Sequence, residues 1–372
     1  MLANLLPEVW LSAIDAAPLP GVVLVAAGAL VMLSFGADWL VESASGAAVK
    51  LGLSKVIVGA TIVSLGTTTP ECAVSVMAAW KGDSGLALGN AVGSVIADTA
   101  LIFGLGCLLV RLPADRFLLD RQGWVQFGTA VLLAGAAYVQ FLRLGDSATI
   151  TQGMGVALLV LLAWYLWQSV QWSRAHARLT AVQKHESIEQ AEAEESTAVD
   201  VDLVTEHAPH GMLALLVRGF IGLALVLVGS EVAVYAVKLL AVRLGVPDVV
   251  ISATLLALGT STPELVVGML ALRRGHPELL VGNVIGADVL NILFVTGASA
   301  VAAPLHVVDS AASVPNIFLI LHLPVMLGVL LYFRLCIVRA GRQGHFERWM
   351  GWPLVAAYFG FVVASLVIGA SG

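Results

Sequence analysis

Two glutamates lie deep inside apolar runs, and each directly follows a proline: Glu71 in LGTTTPE and Glu264 in LGTSTPE. A carboxylate in hydrocarbon costs at least a few kcal/mol unless it is paired, so an acid in such a place points to ion handling. Pro70 has no N–H to donate to the carbonyl of Gly66, nor Pro263 to that of Gly259, so both helices are expected to kink there and release carbonyl oxygens. Thr67 and Thr68 precede Glu71 by four and three residues and share its helical face, and Thr260 and Ser261 stand in the same relation to Glu264. Ser64 lies one turn further back, where the second motif has Ala257. Carboxylate, hydroxyl and carbonyl oxygens, with no histidine in either motif, make an oxygen-only donor set suited to hard cations such as Ca2+ and Na+.

A second element follows each motif. GNAVGS, residues 89–94, leads to Asp98, with Ser94 and Asp98 at i and i+4. GNVIGA, residues 282–287, leads to Asn291. The glycines permit close helix packing in a membrane. When ionised, Glu71, Glu264 and Asp98 carry three negative charges, and such a site is very unfavourable when empty. One Ca2+ with one protonated acid, or several Na+ or H+, would neutralise it before helices move past it. Two cation types that compete for one set of carboxylates exclude each other, which is the physical logic of exchange.

The elements that must hold these groups are membrane helices. Of the 372 residues, 59% are hydrophobic and only 12% charged, against about 25% in soluble domains; mean hydropathy is +0.94. Ten hydrophobic segments are expected, near 20–45, 56–79, 84–109, 124–142, 148–171, 212–241, 249–272, 278–303, 314–338 and 350–370. They are too long and too uniformly apolar for barrel strands, so they are helices. Cys72, Cys107 and Cys336 sit inside apolar segments without metal-like spacing and are expected to be small apolar packers. The N-terminus lacks a basic region before its apolar stretch and is not expected to be a cleaved signal. Residues 173–211 are polar and acidic and form an expected solvated, partly helical linker between two five-helix units, 1–172 and 212–372. With both termini outside, fifteen of the 19 Lys and Arg residues fall on the inner side, which makes the linker cytoplasmic.

The two units repeat each other at an offset of 193 residues, without a gap from Gly36 to Gly93. The shared residues include Thr, Pro, Glu and Asn in register, which chance similarity between apolar helices does not produce. Five is odd, so the second copy enters the membrane from the opposite face. The expectation is therefore an all-α integral membrane protein of ten transmembrane helices in two inverted five-helix repeats, with its ion site near the midplane.

GATIVSLGTTTPE with GNAVGSVIAD, residues 59–98, and SATLLALGTSTPE with GNVIGADVLN, residues 252–291, resemble the paired repeat motifs of the calcium:cation antiporter superfamily, most closely its sodium/calcium exchanger branch. The resemblance extends over all ten segments. It implies that the first and sixth helices slide across an eight-helix core. It also implies cation ligation by Ser64, Thr67, Thr68, Glu71, Ser94 and Asp98 in the first motif. In the second motif it implies Ala257 (through its carbonyl), Thr260, Ser261, Glu264 and Asn291, with Ca2+ centred on Glu71, Glu264, Thr67 and Thr260. The branch commonly has Asn in the third helix and Asp in the eighth, so Asp98 and Asn291 are exchanged across the repeat. Ala287 stands where a serine is usual. Val95 replaces the usual Asn after Ser94, and Asp288 occupies the equivalent place in the second half.

Asp38 and Glu231 match across the repeat and are candidates for the ion pathway, or for local pairing. His322 and Pro324 have no repeat partners and suit a kink. The whole pattern points to Ca2+/Na+ antiport across the plasma (inner) membrane, with Ca2+/H+ antiport on the same ligands as the alternative. A channel fits the inverted repeat less well, and no substrate cleft or oxyanion donors suggest a hydrolase. The expected partners are the cations and membrane lipid, with no cofactor, no nucleic acid and no obligatory protein partner.

Overall fold

The computed structural model describes residues 8–51, 54–194, 211–243, 261–308 and 316–370. A short helix, α1 (Glu8–Ala16), precedes the long α2 (Leu19–Leu51). Then come α3 (Lys55–Thr67), α4 (Thr69–Trp80), α5 (Ser84–Leu109), α6 (Arg116–Leu144) and α7 (Gln152–Glu194). After the linker follow α8 (Met212–Arg243), α9 (Thr262–Arg273), α10 (Pro277–Ala302), α11 (Phe318–Gln343) and α12 (Gly351–Ala370). Among the described residues eight helices are long and apolar enough to cross a membrane, and the bent pair α3–α4 counts as a ninth. The seventh expected segment begins at residues 249–260, which lie outside the described residues; α9 is its remainder. Side chains such as Leu24, Leu213 and Phe220 stand more than 70% exposed along these helices, as lipid-facing residues do.

Both prolines of the motifs lie at the start of a helix. Helices α3 and α4 meet at 45° across Thr68, and Pro70 sits in the first turn of α4, where its missing N–H is not needed. Pro263 occupies the same place in α9. Pro324 likewise follows a widened, π-type turn at Phe318–His322 in α11. Similar turns interrupt α5 at Ala97–Phe103 and α10 at Asn291–Val295, so both open at the paired positions Asp98 and Asn291. Turns of this kind often mark functional positions.

The first part of the acidic linker is helical. Helix α7 runs unbroken from the membrane segment to Glu194. Residues 172–194 contain neither Gly nor Pro and are rich in Ala, Glu, Gln, Lys and Arg, so nothing stops the helix at the membrane edge.

Helices α5 and α10 form the centre, with 78% and 94% of their apolar stretches buried, whereas α2 and α8 are at the periphery with 22% each. The large hydrophobic core draws on α3 to α7 and α9 to α12 and includes no residue of α2 or α8. Those two build a separate cluster with Val58, Val63, Val267, Ala271 and Leu279. They run antiparallel: Ala26 packs near Ala236, Gly36 near Gly222, and Ser43 near Gly219. A Cβ on Gly36 would lie 2.8 Å from the Gly222 carbonyl, and one on Gly222 would lie 2.7 Å from the Gly36 carbonyl. The two backbones touch there, and only glycine allows it.

At one end, a bridge between Pro113 and His345 and an ion pair between His176 and Asp115 at 2.9 Å tie the loops. At the other, the two-residue strands β1 (Thr149–Ile150) and β2 (Leu305–His306) pair antiparallel and join the two halves.

Gly36→Ala is expected to destabilise the protein by about 1–3 kcal/mol, because the crowding atoms are backbone and cannot rotate away. Gly128→Ala, where a Cβ meets nothing within 4 Å, is the control and leaves stability nearly unchanged. Thermal unfolding in detergent reads both.

Candidate cation-binding site

The bend at Thr68 turns the end of α3 and the start of α4 inward. Ser64, Thr67, Thr68 and Glu71 are all fully buried. Neither oxygen of Glu71 has a hydrogen-bond partner in the structure. Glu264, in the first turn of α9, is 1% exposed; its Oε1 accepts a long hydrogen bond from Thr68 Oγ1 at 3.4 Å, and its Oε2 has no partner. The Thr67 hydroxyl also lies beside Glu264. The hydroxyls of the first motif thus serve the carboxylate of the second.

The hydroxyl of Ser64 also bonds to backbone. Its Oγ sits 2.6 Å from the Gly59 carbonyl and 3.0 Å from that of Asn283, so it ties α3 to α10. Gly286 allows this approach, since a Cβ there would fall 2.4 Å from Ser64 Oγ. Asn90 does the corresponding work for α4, donating to Ser75 Oγ at 2.9 Å and to the Glu71 carbonyl at 3.3 Å.

Asp98 and Asn291 meet. Asn291 Nδ2 donates to Asp98 Oδ2 at 3.4 Å, across the 193 residues that separate repeat equivalents. Two residues matched by the repeat contact each other only where the halves face one another. Asp98 Oδ1 and Asn291 Oδ1 remain without partners, as does the buried hydroxyl of Ser94. Ser261 lies near Asp98 without closing a hydrogen bond. Thr260 and Ala257 lie outside the described residues.

Glu71, Glu264 and Asp98 are close enough for their charges to repel. Among the described buried residues the only basic side chain is Arg334, and it is committed to Asp120 at 3.0 Å. Among the described residues no basic side chain therefore faces the carboxyl groups at the centre. Among the described residues no three His, Cys, Asp or Glu side chains are arranged to hold a metal by themselves, so the hydroxyl and carbonyl oxygens would have to complete any cation shell.

Asp38 is in an ion pair with Arg274 at 2.8 Å, which links α2 to the turn after α9. Neighbouring Glu42 pairs with Arg218 of α8 at 2.8 Å. Glu231 is half-buried in α8. Sequence reasoning passed over one cluster. Asp288 of α10 is fully buried; its Oδ2 accepts from Thr99 Oγ1, and from Gln126 Nε2 at 2.5 Å. A departure from the motif at 288 was visible, but its link to α6 was not.

The family model described as sodium/calcium exchanger protein matches residues 21–171 and 215–367. The sodium/calcium exchanger MaX1 of Methanosarcina acetivorans is 30% identical over 91% of this chain and 97% of its own length. The inner membrane protein YrbG of Escherichia coli is 29% identical over 74% and 78%. Among solved structures, the sodium-calcium exchanger NCX_Mj soaked with 2.5 mM Na+ and 10 mM Sr2+ superposes with a TM-score of 0.71 at 25% identity, covering 93% of this chain and 99% of that one. The overall helical fold is thus shared with the solved exchanger, and this chain is a multi-pass membrane protein of the sodium/calcium exchanger family.

Proposed function

We propose that the chain is a secondary antiporter that exchanges Ca2+ for Na+ across the plasma (inner) membrane by alternating access. The observation that carries this reading is the buried set of carboxylate oxygens on Glu71, Glu264 and Asp98 that have no partner and face no protein cation. Several kcal/mol of desolvation cost per ion are left uncompensated until cations enter. Ca2+ takes six to eight oxygens, which one carboxylate cannot supply, so Glu71 and Glu264 act together with Thr67, Thr68 and the carbonyls freed at the bends. Na+ competes for the same oxygens. The site is neutralised by one Ca2+ with one protonated acid, or by several Na+ or H+, and the peripheral α2–α8 pair crosses it only then.

The separate packing of α2 and α8 supports sliding of that pair as a body. Their antiparallel course supports the inverted relation of the two halves and the ten-helix count. MaX1 and NCX_Mj are named as sodium/calcium exchangers, which supports the choice of ions. Both termini outside and a cytoplasmic 173–211 linker follow from the distribution of Lys and Arg.

Purified protein in proteoliposomes is expected to take up Ca2+ when an outward Na+ gradient is imposed at clamped pH. Uptake that ignores Na+ but follows an outward H+ gradient would replace Na+ by H+ in this reading. Glu71→Gln and Glu264→Gln are each expected to abolish uptake while the purified protein still unfolds cooperatively. Wild-type flux from either variant would remove the central site from the argument. Asp98→Asn is expected to reduce flux strongly, and adding Asn291→Asp to restore part of it, because the pair's hydrogen bond then forms with donor and acceptor exchanged.

A further inference from the structure

The cluster of Asp288, Thr99 and Gln126 breaks the internal repeat. The repeat places Val95 opposite Asp288 and Ile292 opposite Thr99, so the first half has no equivalent. The cluster adds a fourth buried carboxylate that the central site, as described, does not use. We propose that Asp288, with Thr99 and Gln126, forms a subsite for one exchanged monovalent cation, Na+ or a proton, adjoining the Ca2+ site.

Four observations lead there. Asp288 is fully buried, and its Oδ1 has no partner. Its Oδ2 accepts only from a hydroxyl and an amide, neither of which brings a positive charge. Asp98 lies near enough to repel it, so two ionised acids side by side need a cation on or between them. Thr99 adjoins Asp98 in the chain, so occupancy at Asp288 bears directly on the central site. Of the elements packed against α10, α5 presents Asp98, α9 presents Glu264 and α4 presents Glu71. Helix α6 offers Gln126, and α3 offers Lys55 only at the far end, beside His276. A single carboxylate with two neutral side chains matches one positive charge and falls short of the six to eight oxygens of Ca2+.

The inference rests on the exchanger reading, and its test separates the two. Wild-type protein and Asp288→Asn are compared in proteoliposomes, with Na+ varied at fixed pH and pH varied at fixed Na+. If wild-type protein moves Ca2+ against neither Na+ nor H+, the exchanger reading itself fails. If Na+ occupies the subsite, Asp288→Asn still transports Ca2+, but the Hill coefficient for Na+ drops by about one. If a proton occupies it, the Na+ Hill coefficient holds and one step disappears from the pH profile. Wild-type Na+ cooperativity together with a wild-type pH profile would overturn the subsite while leaving the exchanger intact. Should Asp288→Asn not fold, Thr99→Val decides the matter. It removes one oxygen without touching a charge, and it is expected to raise half-saturating Na+, or to shift the pH midpoint, several-fold; no change in either would overturn the proposal.

Discussion

The structure depends on carboxyl groups buried at its centre that no basic side chain among the described residues faces. Glu71, Glu264, Asp98 and Asp288 are buried where the dielectric is low, and the only buried basic residue among those described is engaged elsewhere. A soluble protein would place an arginine against such acids, and a stable protein would replace them with hydrocarbon. Neither happens here, so the charge is kept for something that comes and goes. The bend after Thr67, the widened turns at Asp98 and Asn291, and the glycines against α3 all bring backbone and hydroxyl oxygen to the acids without adding a fixed cation.

That requirement also shapes the division of the molecule. A body that moves past a charged centre cannot share its core. The large hydrophobic core leaves out α2 and α8 entirely, and their own cluster is small and lined by Ala, Val and Leu. They hold to each other by backbone contact at Gly36 and Gly222, and to the rest through the small cluster with Val58, Val63, Val267, Ala271 and Leu279 and through the ion pair of Asp38 with Arg274. Contacts of small residues slide with little loss of packing, whereas interlocked large side chains would not. The ion pair is half in water, where its strength is modest. Both features lower the resistance to relative motion while keeping the pair intact.

Much of this was legible in the sequence because the two halves repeat. Register across 193 residues singled out the glutamates, prolines and hydroxyls, and Thr67, Thr68, Glu71, Ser261 and Glu264 are buried. The same method has a blind side. It finds what both halves share, so Asp288, whose counterpart is Val95, read as a departure from a motif rather than as a site. Gln126 was invisible for another reason: α6 carries no motif, and only the packing of α6 against α10 brings its amide to Asp288. Spacing also could not show that Gly286 lets α10 come close enough for the Ser64 hydroxyl to bond its backbone. Hydropathy marks where a membrane ends and not where a helix does, so the reach of α7 to Glu194 is seen only in the structure.

The exchange of Asp98 and Asn291 relative to the family pattern follows from where they sit. The two side chains bond to each other across the halves. One must donate and one accept, so a carboxylate and an amide are needed, but the geometry does not say which half supplies which. Trading them preserves the bond and the total charge. What it changes is the surroundings of the carboxylate, which now projects from α5 and stands near Ser261 and Asp288. A second acid beside a displaced first acid is costly unless the added charge is also balanced. The presence of Thr99 and Gln126 around Asp288, with no counterpart on the other side, therefore indicates that the two departures form one change: the carboxylate moved to α5, and the neighbouring position on α10 became a place where a further positive charge is held.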